Sequence, residues 1–344
     1  MYTHVSLFAG LGGFIIAGNR QGFRTIFANE IEDACGFVLR QNFPDVALSQ
    51  KDVTHLDPSD HAELEEPVDV LSAGFPCQSF SQAGENLGFD DARGQLFFRI
   101  PEICRLMRQF PKVLLLENVP YLKVFDGGSR LKTVLNELRR IGYWVSEENA
   151  QILDSFDFGD TPQRRERLYI VAVHSTHFKK NKFRFPDEKT EGHKSVWDYI
   201  DRSIRGEERL YMDPENKYAR MIAREAVASG PDRLYQIRRH VVRACPPKIC
   251  PTLTANMGGG GHNVPFIIDQ WGIRRLSVQE VALLQCVRPD ELEFPKALTD
   301  NAKLKMLGNA VCIDVVEKLF ESIKTILTQS YRSAHESEDL AISS

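Results

Sequence analysis

The first 175 residues alternate short apolar runs with stretches whose apolar residues recur at helical spacing. The apolar runs predict strands at residues 4–9, 25–29, 47–50, 68–73, 113–117, 145–153 and 168–173. Between them, residues 32–42 and 130–141 have the spacing of amphipathic helices, and a helix within residues 96–110 should begin or kink near Pro101. Strands that alternate with helices are typical of a parallel, doubly wound α/β sheet.

This alternation stops near residue 178 and resumes near residue 266. The intervening segment is polar, basic and irregular, and ends in a run of glycines at residues 258–261. Helical spacing returns at residues 277–285 and 310–327, and the last residues are polar with mixed charge. We therefore expect a large domain at residues 1–177, a smaller one at 178–265, a segment at 266–328 that completes the large domain, and a disordered tail at 329–344.

The composition is that of an ordinary globular protein, with 344 residues, 42% of them hydrophobic and 26% charged. No apolar run is long enough to span a membrane, and the first residues lack the basic region of a signal peptide, so we expect a cytoplasmic protein without membrane contact. The odd, dispersed set of seven cysteines favours free thiols. Cys245 and Cys250 lack the usual spacing of zinc ligands, so no metal is expected.

Charge is unevenly distributed along the chain. The whole sequence carries −4, whereas residues 216–250 carry +6. A basic segment on an acidic chain is typical of a surface that binds phosphates. A solvated basic face without a partner is the alternative reading.

One cysteine has a distinctive position in the sequence Ala73-Gly-Phe-Pro-Cys-Gln-Ser-Phe-Ser81. Cys77 follows a proline where an apolar strand runs into a loop. Because proline fixes its own φ, the thiol is expected at an abrupt turn on the carboxyl edge of the sheet, where open α/β sheets bind ligands. A buried cysteine that acts only as a small apolar residue is the alternative.

A glycine-rich turn, Phe8-Ala-Gly-Leu-Gly-Gly13, follows the first strand and opens a helix. Glu30 ends the second strand 20 residues after Gly10, at the position from which a carboxylate binds ribose hydroxyls. Together they predict a nucleoside cofactor without identifying it. Asp52, after the third strand, would either contact an adenine amino group or lie in a surface turn.

Two further motifs lie at predicted strand ends. Glu117 ends an apolar strand, where partial desolvation would raise the pKa of its carboxyl group and let it act as an acid. A carboxylate that caps the turn is the alternative. The sequence Thr161-Pro-Gln-Arg-Arg-Glu-Arg167 places three arginines before another strand, which suggests that they bind a fixed polar ligand.

Six motifs in a fixed order make the chain resemble the cytosine-C5 DNA methyltransferase family. They are Phe8-Ala-Gly-Leu-Gly-Gly13, Pro76-Cys77, Glu117-Asn-Val119, Gln163-Arg-Arg-Glu-Arg167, Arg275-Leu-Ser-Val-Gln-Glu280 with Leu284-Gln285, and Leu307-Gly-Asn-Ala-Val311. The resemblance covers residues 3–175 and 266–328. It has two departures: Ser6 stands where many members have an acid, and Cys286-Val287 replaces the usual Gly-Phe.

The resemblance implies a doubly wound, Rossmann-like sheet of S-adenosylmethionine-dependent methyltransferases, with a small, irregular target-recognition domain at residues 178–265. It implies a DNA (cytosine-5-)-methyltransferase that flips a cytosine out of double-stranded DNA. Cys77 would add to C6, and a methyl group would pass from S-adenosylmethionine to C5. One recognition domain on a short chain further implies a monomeric bacterial modification enzyme, whose cognate restriction endonuclease acts on the same site.

The family's residue roles carry over to matching positions. Cys77 would be the nucleophile, and Glu117 would protonate N3. Arg167 would hold O2, with Arg165 near the thiolate or a phosphate. The residues implied to bind the cofactor are Phe8, Gly10, Leu11, Gly12, Gly13, Glu30, Ile31, Asp52, Val53, Phe75, Pro76, Leu96, Asn309 and Val311. The residues expected at the DNA are Gln78, Ser81, Gln163, Arg238, Arg239, Arg243, Thr252 and Thr254.

Three rival functions remain at this level. A tRNA cytosine-C5 methyltransferase has the same chemistry, but the Cys-Phe-Thr element of that branch is absent. A nicotinamide-dependent dehydrogenase is favoured only by the glycine turn and Glu30. A catalytically silent DNA-binding protein would not need Pro76-Cys77 and Glu117.

Overall fold

The computed structural model describes residues 1–76, 96–187, 189, 190, 192, 194–238, 240–259 and 263–342, with residues from 332 onward described by their backbone alone. Within these ranges, the chain forms a large mixed sheet covered by helices on both faces and a smaller antiparallel sheet.

The described strands of the large sheet are β1 (Tyr2–Leu7), β2 (Phe23–Asn29), β3 (Ala47–Ser49), β4 (Val70–Gly74), β5 (Val113–Asn118), β6 (Tyr143–Trp144), β7 (Ala150–Asp154) and β8 (Glu166–His174). Their order is β3-β2-β1-β4-β5-β8-β6, and β7 also pairs with β8. The pairs among β1 to β5 are parallel, whereas β8 is antiparallel to β5, β6 and β7. The expected α/β class is confirmed, although β8 makes the sheet mixed.

The described helices are α1 (Gly13–Arg20), α2 (Asp33–Asn42), α3 (Leu96–Leu106), α4 (Tyr121–Val124), α5 (Ser129–Arg140), α6 (Ser155–Phe158), α7 (Lys217–Ser229), α8 (Val278–Leu284), α9 (Asp300–Asn309) and α10 (Ile313–Ile342). Successive side chains of a strand point to opposite faces of a sheet. Accordingly, Val113 and Leu115 of β5 lie in one core cluster with Phe320 of α10, and Leu114 lies in another with Ile100 of α3.

Two local expectations differ from the structure. The strand predicted at residues 145–153 is interrupted, because Ser146 and Asn149 form a capping box around a short 3₁₀ helix, Glu147–Asn149, that separates β6 from β7. Pro101 lies inside α3, so the helix does not begin there. The predicted helices at residues 32–42 and 130–141 match α2 and α5.

The second domain is more regular than the sequence suggested. Its antiparallel sheet has the strand order β10-β9-β11-β12, with bounds β9 (Tyr235–Arg238), β10 (Val241–Ala244), β11 (Pro265–Asp269) and β12 (Gly272–Arg275). Helix α7 covers one face, where Ile222 packs with Tyr235 and Phe266. Strands β11 and β12 belong to this sheet, which therefore reaches Arg275, beyond the boundary expected at residue 265.

The chain then returns to the large domain through α8, α9 and α10. Helix α10 begins at Ile313 and continues past residue 329, where we expected disorder to start. The Tyr331 hydroxyl donates to Asp69 at 2.8 Å, and its ring lies 4.0 Å from the Lys112 ammonium. These contacts anchor the helix at the amino edge of the sheet. In the described part of the chain, no helix combines the length and the apolar character that crossing a bilayer requires.

Candidate active site

The reversed direction of β8 brings several predicted site residues to one edge of the sheet. Parallel strands β4 and β5 end there, and β8 begins there because it runs the opposite way. Gly74 pairs with Glu117, and Asn118 pairs with Leu168. Glu117 is therefore flanked by the residues that lead to Cys77 on one side and by Arg167 on the other.

Glu117 forms an ion pair with Arg167, with 3.1 Å between Oε1 and Nε, and the two side chains are only 13% and 17% exposed. Burial raises the pKa of Glu117, whereas the charges of Arg167 and Arg165 act in the opposite direction, and the net shift is upward. A carboxyl group of this kind is suited to deliver a proton. On the β4 side, the residue next to this carboxyl group is Gly74, which has no side chain. A Cβ on Gly74 would lie 3.3 Å from the other Glu117 oxygen.

Asn118 fixes the backbone that precedes the cysteine. Its side-chain amide donates to the Phe75 carbonyl at 3.1 Å, and its oxygen accepts from the Val119 amide at 2.9 Å. Phe75 is buried and packs its ring near Phe97. Sequence reasoning assigned no role to Asn118, although its place in the Glu-Asn-Val motif was a signal. Cys77, Gln78 and Ser81 lie outside the described residues.

Arg165 is buried, with 2% of its surface exposed. Its terminal nitrogens donate to three backbone carbonyls: Leu253 at 2.7 Å, Gly308 at 3.0 Å and Ala310 at 2.6 Å. Its Nε has no hydrogen-bond partner among the described residues. Most of its guanidinium therefore binds the protein.

Gln163, which was expected at the DNA, has a fully buried side chain. Its oxygen accepts from the Leu253 amide at 3.0 Å, and its nitrogen donates to the Leu284 carbonyl at 2.9 Å. The side chain thus joins the segment around Leu253 to the end of α8.

The glycine turn between β1 and α1 has the expected close backbone geometry. Gly10 and Gly12 have φ values of 57° and 98°, which glycine adopts without strain. A Cβ on Gly12 would lie 2.5 Å from the Phe43 ring, whereas the space around Gly10 is open. The carboxylate of Glu30 accepts from the Gly10 amide at 2.7 Å and from the Glu32 amide at 2.8 Å. Its remaining lone pairs face an open turn that suits a hydroxyl-bearing ligand.

The C-terminal segment closes on this turn. A Cβ on Gly13 would lie 2.8 Å from a methyl group of Val311, so the two residues pack closely. Asn309 is exposed at the end of α9. Asp52 accepts from the Thr54 amide and hydroxyl, which lower its pKa, and it caps a short 3₁₀ helix.

The other predicted cofactor residues differ in exposure. Leu11 and Val53 are buried in the core clusters, and Ile31 is 56% exposed. Phe8 has a positive φ of 54° and packs, as Leu96 does, against the core that contains α3. Backbone atoms rather than side chains of the buried residues are therefore available to a ligand at this turn.

Both departures from the family pattern are buried. Ser6 is fully buried, and its hydroxyl accepts from Ser72 at 3.4 Å. Cys286 has a φ of 64°, a left-handed conformation that explains why glycine is usual there. Its sulfur lies 3.5 Å from that of Cys312, so the substitution is absorbed by packing.

The Thr252-Leu-Thr254 element lies beside α9. Thr252 donates to the Arg164 carbonyl at 2.7 Å, and the buried Thr254 hydroxyl has no partner in the described ranges. A Cβ on Gly308 of α9 would overlap the backbone of Thr254 and Ala255. This tight contact explains the glycine of the Leu-Gly-Asn-Ala-Val motif.

The basic segment is divided between two surfaces. In the β9–β10 hairpin, Arg238 and Arg243 are exposed on the face opposite α7, because Ile237 and Val242 turn inward to pack with that helix. The cations of α7, such as Arg224, lie on the helix surface that faces away from the sheet. The segment therefore does not form a single continuous stripe. Arg239 lies outside the described residues.

Within the described ranges, no group of three or more histidine, cysteine or acidic side chains is arranged to hold a metal ion.

Comparisons with known proteins agree with this geometry. A family model for C-5 cytosine-specific DNA methylases matches residues 2–325. The chain is 35% identical to the Type II methyltransferase M.Bsp6I of Bacillus sp. (strain RFL6), over 94% of this chain and 98% of that protein. It is 33% identical to the Type II methyltransferase M.HpaII of Haemophilus parainfluenzae, over 96% of this chain and 91% of that protein.

Solved structures show the same fold at lower identity. The S. pombe Dnmt2 methyltransferase has a TM-score of 0.70 at 19% identity, covering 95% of this chain and 99% of that one. The Entamoeba histolytica methyltransferase EhMeth has a TM-score of 0.73 at 16% identity, with the same coverage.

Proposed function

The chain belongs to the C-5 cytosine-specific DNA methylase family, and from this premise we propose that it transfers a methyl group to C5 of cytosine in double-stranded DNA. The observation that carries the proposal is the buried Glu117–Arg167 pair at the carboxyl edge of β5. It lies beside the Phe75-Pro76 backbone that leads directly to Cys77. A dehydrogenase or a silent DNA-binding protein has no use for this arrangement.

The chemistry requires a nucleophile, an acid and a group that holds the ring. Cytosine C5 is too poor a nucleophile to accept a methyl group directly, so the Cys77 thiolate adds to C6 and forms an enamine. Negative charge then develops toward N3 and O2. Glu117, with its raised pKa, delivers a proton to N3. Arg167, positioned by its ion pair with Glu117, donates hydrogen bonds to O2.

S-adenosylmethionine supplies the methyl group when it is bound. The residues at the glycine turn fit such a molecule, because Gly10 leaves open space beside the Glu30 carboxylate, which accepts hydrogen bonds from ribose hydroxyls. Val311 and Asn309 close the turn from the C-terminal segment. Loss of the C5 proton to a base then allows the Cys77 sulfur to leave C6.

The second domain supplies the DNA contacts. The target cytosine has to leave the helix, because its C6 is out of reach in a stacked duplex. Arg238 and Arg243 offer two exposed cations on one face of the hairpin, where they contact phosphates or the major-groove edge of guanine.

The biological setting follows from the Type II methyltransferases among the relatives. We infer that the enzyme acts as a monomer on DNA in the cytoplasm and modifies sites that a cognate restriction endonuclease would otherwise cut. The two enzymes need to share a recognition sequence but not a binding surface.

The decisive experiment uses duplex DNA that carries 5-fluorocytosine at the target position. Fluorine blocks the final elimination, so the native enzyme should form a denaturant-resistant adduct with the DNA. Cys77→Ser should form no adduct and transfer no labelled methyl group, while it retains the binding of DNA and cofactor. Bisulfite sequencing of DNA from cells that express the protein identifies the target sequence beforehand.

A parallel assay with tRNA separates the related RNA-directed activity. Transfer of label to duplex DNA but not to tRNA is the expected result. Transfer to tRNA alone, or adduct formation by Cys77→Ser, would overturn the proposed function or the proposed mechanism respectively.

A further inference from the structure

Arg165 connects two segments that serve different ligands in the proposed function. One of its nitrogens donates to the carbonyl of Leu253, in the Thr252-Leu-Thr254 element expected at the DNA. The other donates to Gly308 and Ala310, just before the residue that closes the glycine turn. A planar guanidinium presents its donors in a fixed geometry, so it constrains the separation of these carbonyls.

Gly308 makes a second connection between the same segments. It lies inside α9, where alanine has the more favourable helix propensity. Its backbone conformation is helical, so glycine is not needed for φ. It is needed for contact, because any Cβ would overlap the backbone of Thr254 and Ala255.

Buried amides reinforce the connection. The Gln163 side chain bonds to the Leu253 amide and the Leu284 carbonyl. Gln285, also fully buried, donates to the Leu307 carbonyl at 2.7 Å. The Gln163 side chain also donates to the side-chain oxygen of Gln285 at 3.2 Å, so buried amides join the segment around Leu253 to the ends of α8 and α9.

The path continues to the cofactor turn through a direct contact. Val311 follows Ala310 in the chain, and its methyl group packs against Gly13 at the start of α1. Gly308, which contacts Thr254, and Val311, which contacts Gly13, are only three residues apart in the chain. A displacement of the Thr252-Leu-Thr254 element therefore changes the position of the segment that closes the cofactor turn.

We propose that Arg165 and Gly308 couple DNA binding to cofactor binding, so that each ligand increases the affinity for the other. The inference rests on the proposed function and assigns Arg165 as a positioning residue within it. When one ligand orders its segment, the shared contacts order the other segment before its own ligand arrives. Thermodynamic linkage makes the effect reciprocal.

A binding cycle tests the coupling without turnover. In the Cys77→Ser protein, the affinity for S-adenosylhomocysteine is measured by calorimetry with and without a duplex that contains the target site. The ratio of the two affinities is the coupling factor, and we expect it to lie in the usual range of about 5- to 150-fold. Adding Arg165→Lys, which keeps the charge but loses the fork of donors, should reduce the factor to near one.

Gly308→Ala should reduce the coupling factor in the same way, because its methyl group separates α9 from the Thr254 backbone. Gly259→Ala is the matched control. Gly259 lies four residues after Ala255, one of the two residues that Gly308 contacts. A Cβ on Gly259 would meet no described atom nearer than 3.8 Å. Its coupling factor should equal that of the parent protein. The mutual dependence should appear equally when DNA affinity is measured with and without S-adenosylhomocysteine.

If the coupling factor of the Cys77→Ser protein is one, or if adding Arg165→Lys leaves that factor unchanged, the proposed coupling is wrong. If Gly308→Ala fails to fold, as judged by circular dichroism, the Arg165→Lys result decides alone. The proposed function is judged separately, since methyl transfer by the native enzyme does not depend on whether the two binding steps are linked.

Discussion

At Glu117, burial and a neighbouring cation act in opposite directions on one carboxyl group. Burial raises its pKa, and the Arg167 guanidinium at 3.1 Å limits that increase. The net upward shift keeps the acid form populated at higher pH than for an exposed glutamate. The same ion pair restricts the orientation of the carboxyl group.

We expect Glu117→Gln to slow methyl transfer by about 10²-fold, the lower end of the 10²–10⁴-fold contribution that general acids make. Glutamine can donate a hydrogen bond to N3 but cannot deliver a proton, and Glu117→Ala should lose more. Single-turnover methylation of one defined duplex by the three proteins measures both losses. The affinity for S-adenosylmethionine should stay the same, because the glycine turn and Glu30, which are proposed to hold it, are unchanged.

The pH dependence gives an independent readout. Since the protonated form is the active one, the native rate should fall as the pH rises through the raised pKa of Glu117. This fall should be absent from the Glu117→Gln profile, because an amide does not titrate in that range. Equal rates and identical profiles for the two proteins would mean that the carboxyl proton is not used.

For single residues, the sequence indicated which residue types lie near the site better than which way their side chains point. The roles expected of Glu117 and Arg167 came from the family resemblance, and the structure brings their side chains together at one edge of the sheet. The burial of Gln163 was not foreseen, because its partners Leu253 and Leu284 lie 90 and 121 residues away in the chain. A motif specifies residue types and spacing, but burial against distant segments decides which side chains reach a ligand.

In the β9–β10 hairpin, alternate side chains lie on opposite faces. One face packs against α7, and the other carries the arginines proposed to contact DNA. Arg238 faces Val241, and Arg243 faces Gln236, on the side away from α7. The intervening side chains pack inward with Ile222. On this outer face Gln236 is buried and donates to the Asn263 carbonyl, whereas Arg238 and Arg243 are exposed and available to phosphates.

We expect Arg238→Ala to weaken DNA binding and to reduce the slope of log affinity against log salt by about one, as loss of one phosphate contact does. If Arg238 instead reads a base, the recognised sequence should relax while the slope stays the same. Affinity measured at several salt concentrations, on cognate and altered duplexes, distinguishes the two results.

Arg224→Ala is the matched control, since Arg224 is an equally exposed cation of the same domain on the outer surface of α7. It should leave both affinity and salt slope close to those of the native protein. A larger effect at Arg224 than at Arg238 would mean that α7, not the hairpin, faces the DNA.

Element boundaries depended on features that apolar spacing does not contain. The run at residues 145–153 looked continuous, yet Ser146 and Asn149 cap a short helix within it. The polar tail looked disordered, yet Tyr331 packs on Lys112 and Asp69 and orders the helix at that point. Strands β9 and β10 are only four residues each, too short for alternation to stand out in a basic, glycine-rich segment.

For the molecule as a whole, Arg20 ties the beginning of the chain to its end. It bonds to Glu291 at 2.6 Å, to Asp314 at 2.7 Å and to Glu317 at 2.9 Å, with only 6% of its side chain exposed. Burial lowers the pKa of Arg20, but the three carboxylates outweigh burial and raise it. The network joins α1, the turn after α8, and α10, so the return segment completes the first domain.

We expect Arg20→Ala to lower the free energy of unfolding by about 3–5 kcal/mol, because it leaves three partly buried carboxylates facing one another without a counter-charge. Urea denaturation followed by circular dichroism gives the value. Arg24→Ala is the control: its pair with Glu66 is half exposed on both sides, and such pairs contribute about 0–1 kcal/mol. Similar losses for both variants would mean that the Arg20 network is no more than a surface ion pair.

The overall architecture was the most predictable level. Six ordered motifs and the alternation of strands and helices were enough for the α/β class and for the return of the chain to its first domain. The reversed β8 was not predictable from the pattern, because an apolar strand reads the same in either direction. That reversal is what brings Arg167 to Glu117.

The difference between the inner and outer faces of the β9–β10 hairpin also affects how such an enzyme evolves. Substitutions at Arg238, Val241 or Arg243 remove little packing, so lineages can accumulate them without losing the fold. Substitutions at the inward positions, such as Tyr235, are subject to purifying selection through stability, because the buried ring packs against α7 and β11. Sequence divergence among descendants of this protein should therefore follow a two-residue rhythm along the hairpin, with stability constraining the inner face and DNA binding, rather than packing, constraining Arg238 and Arg243 on the outer one.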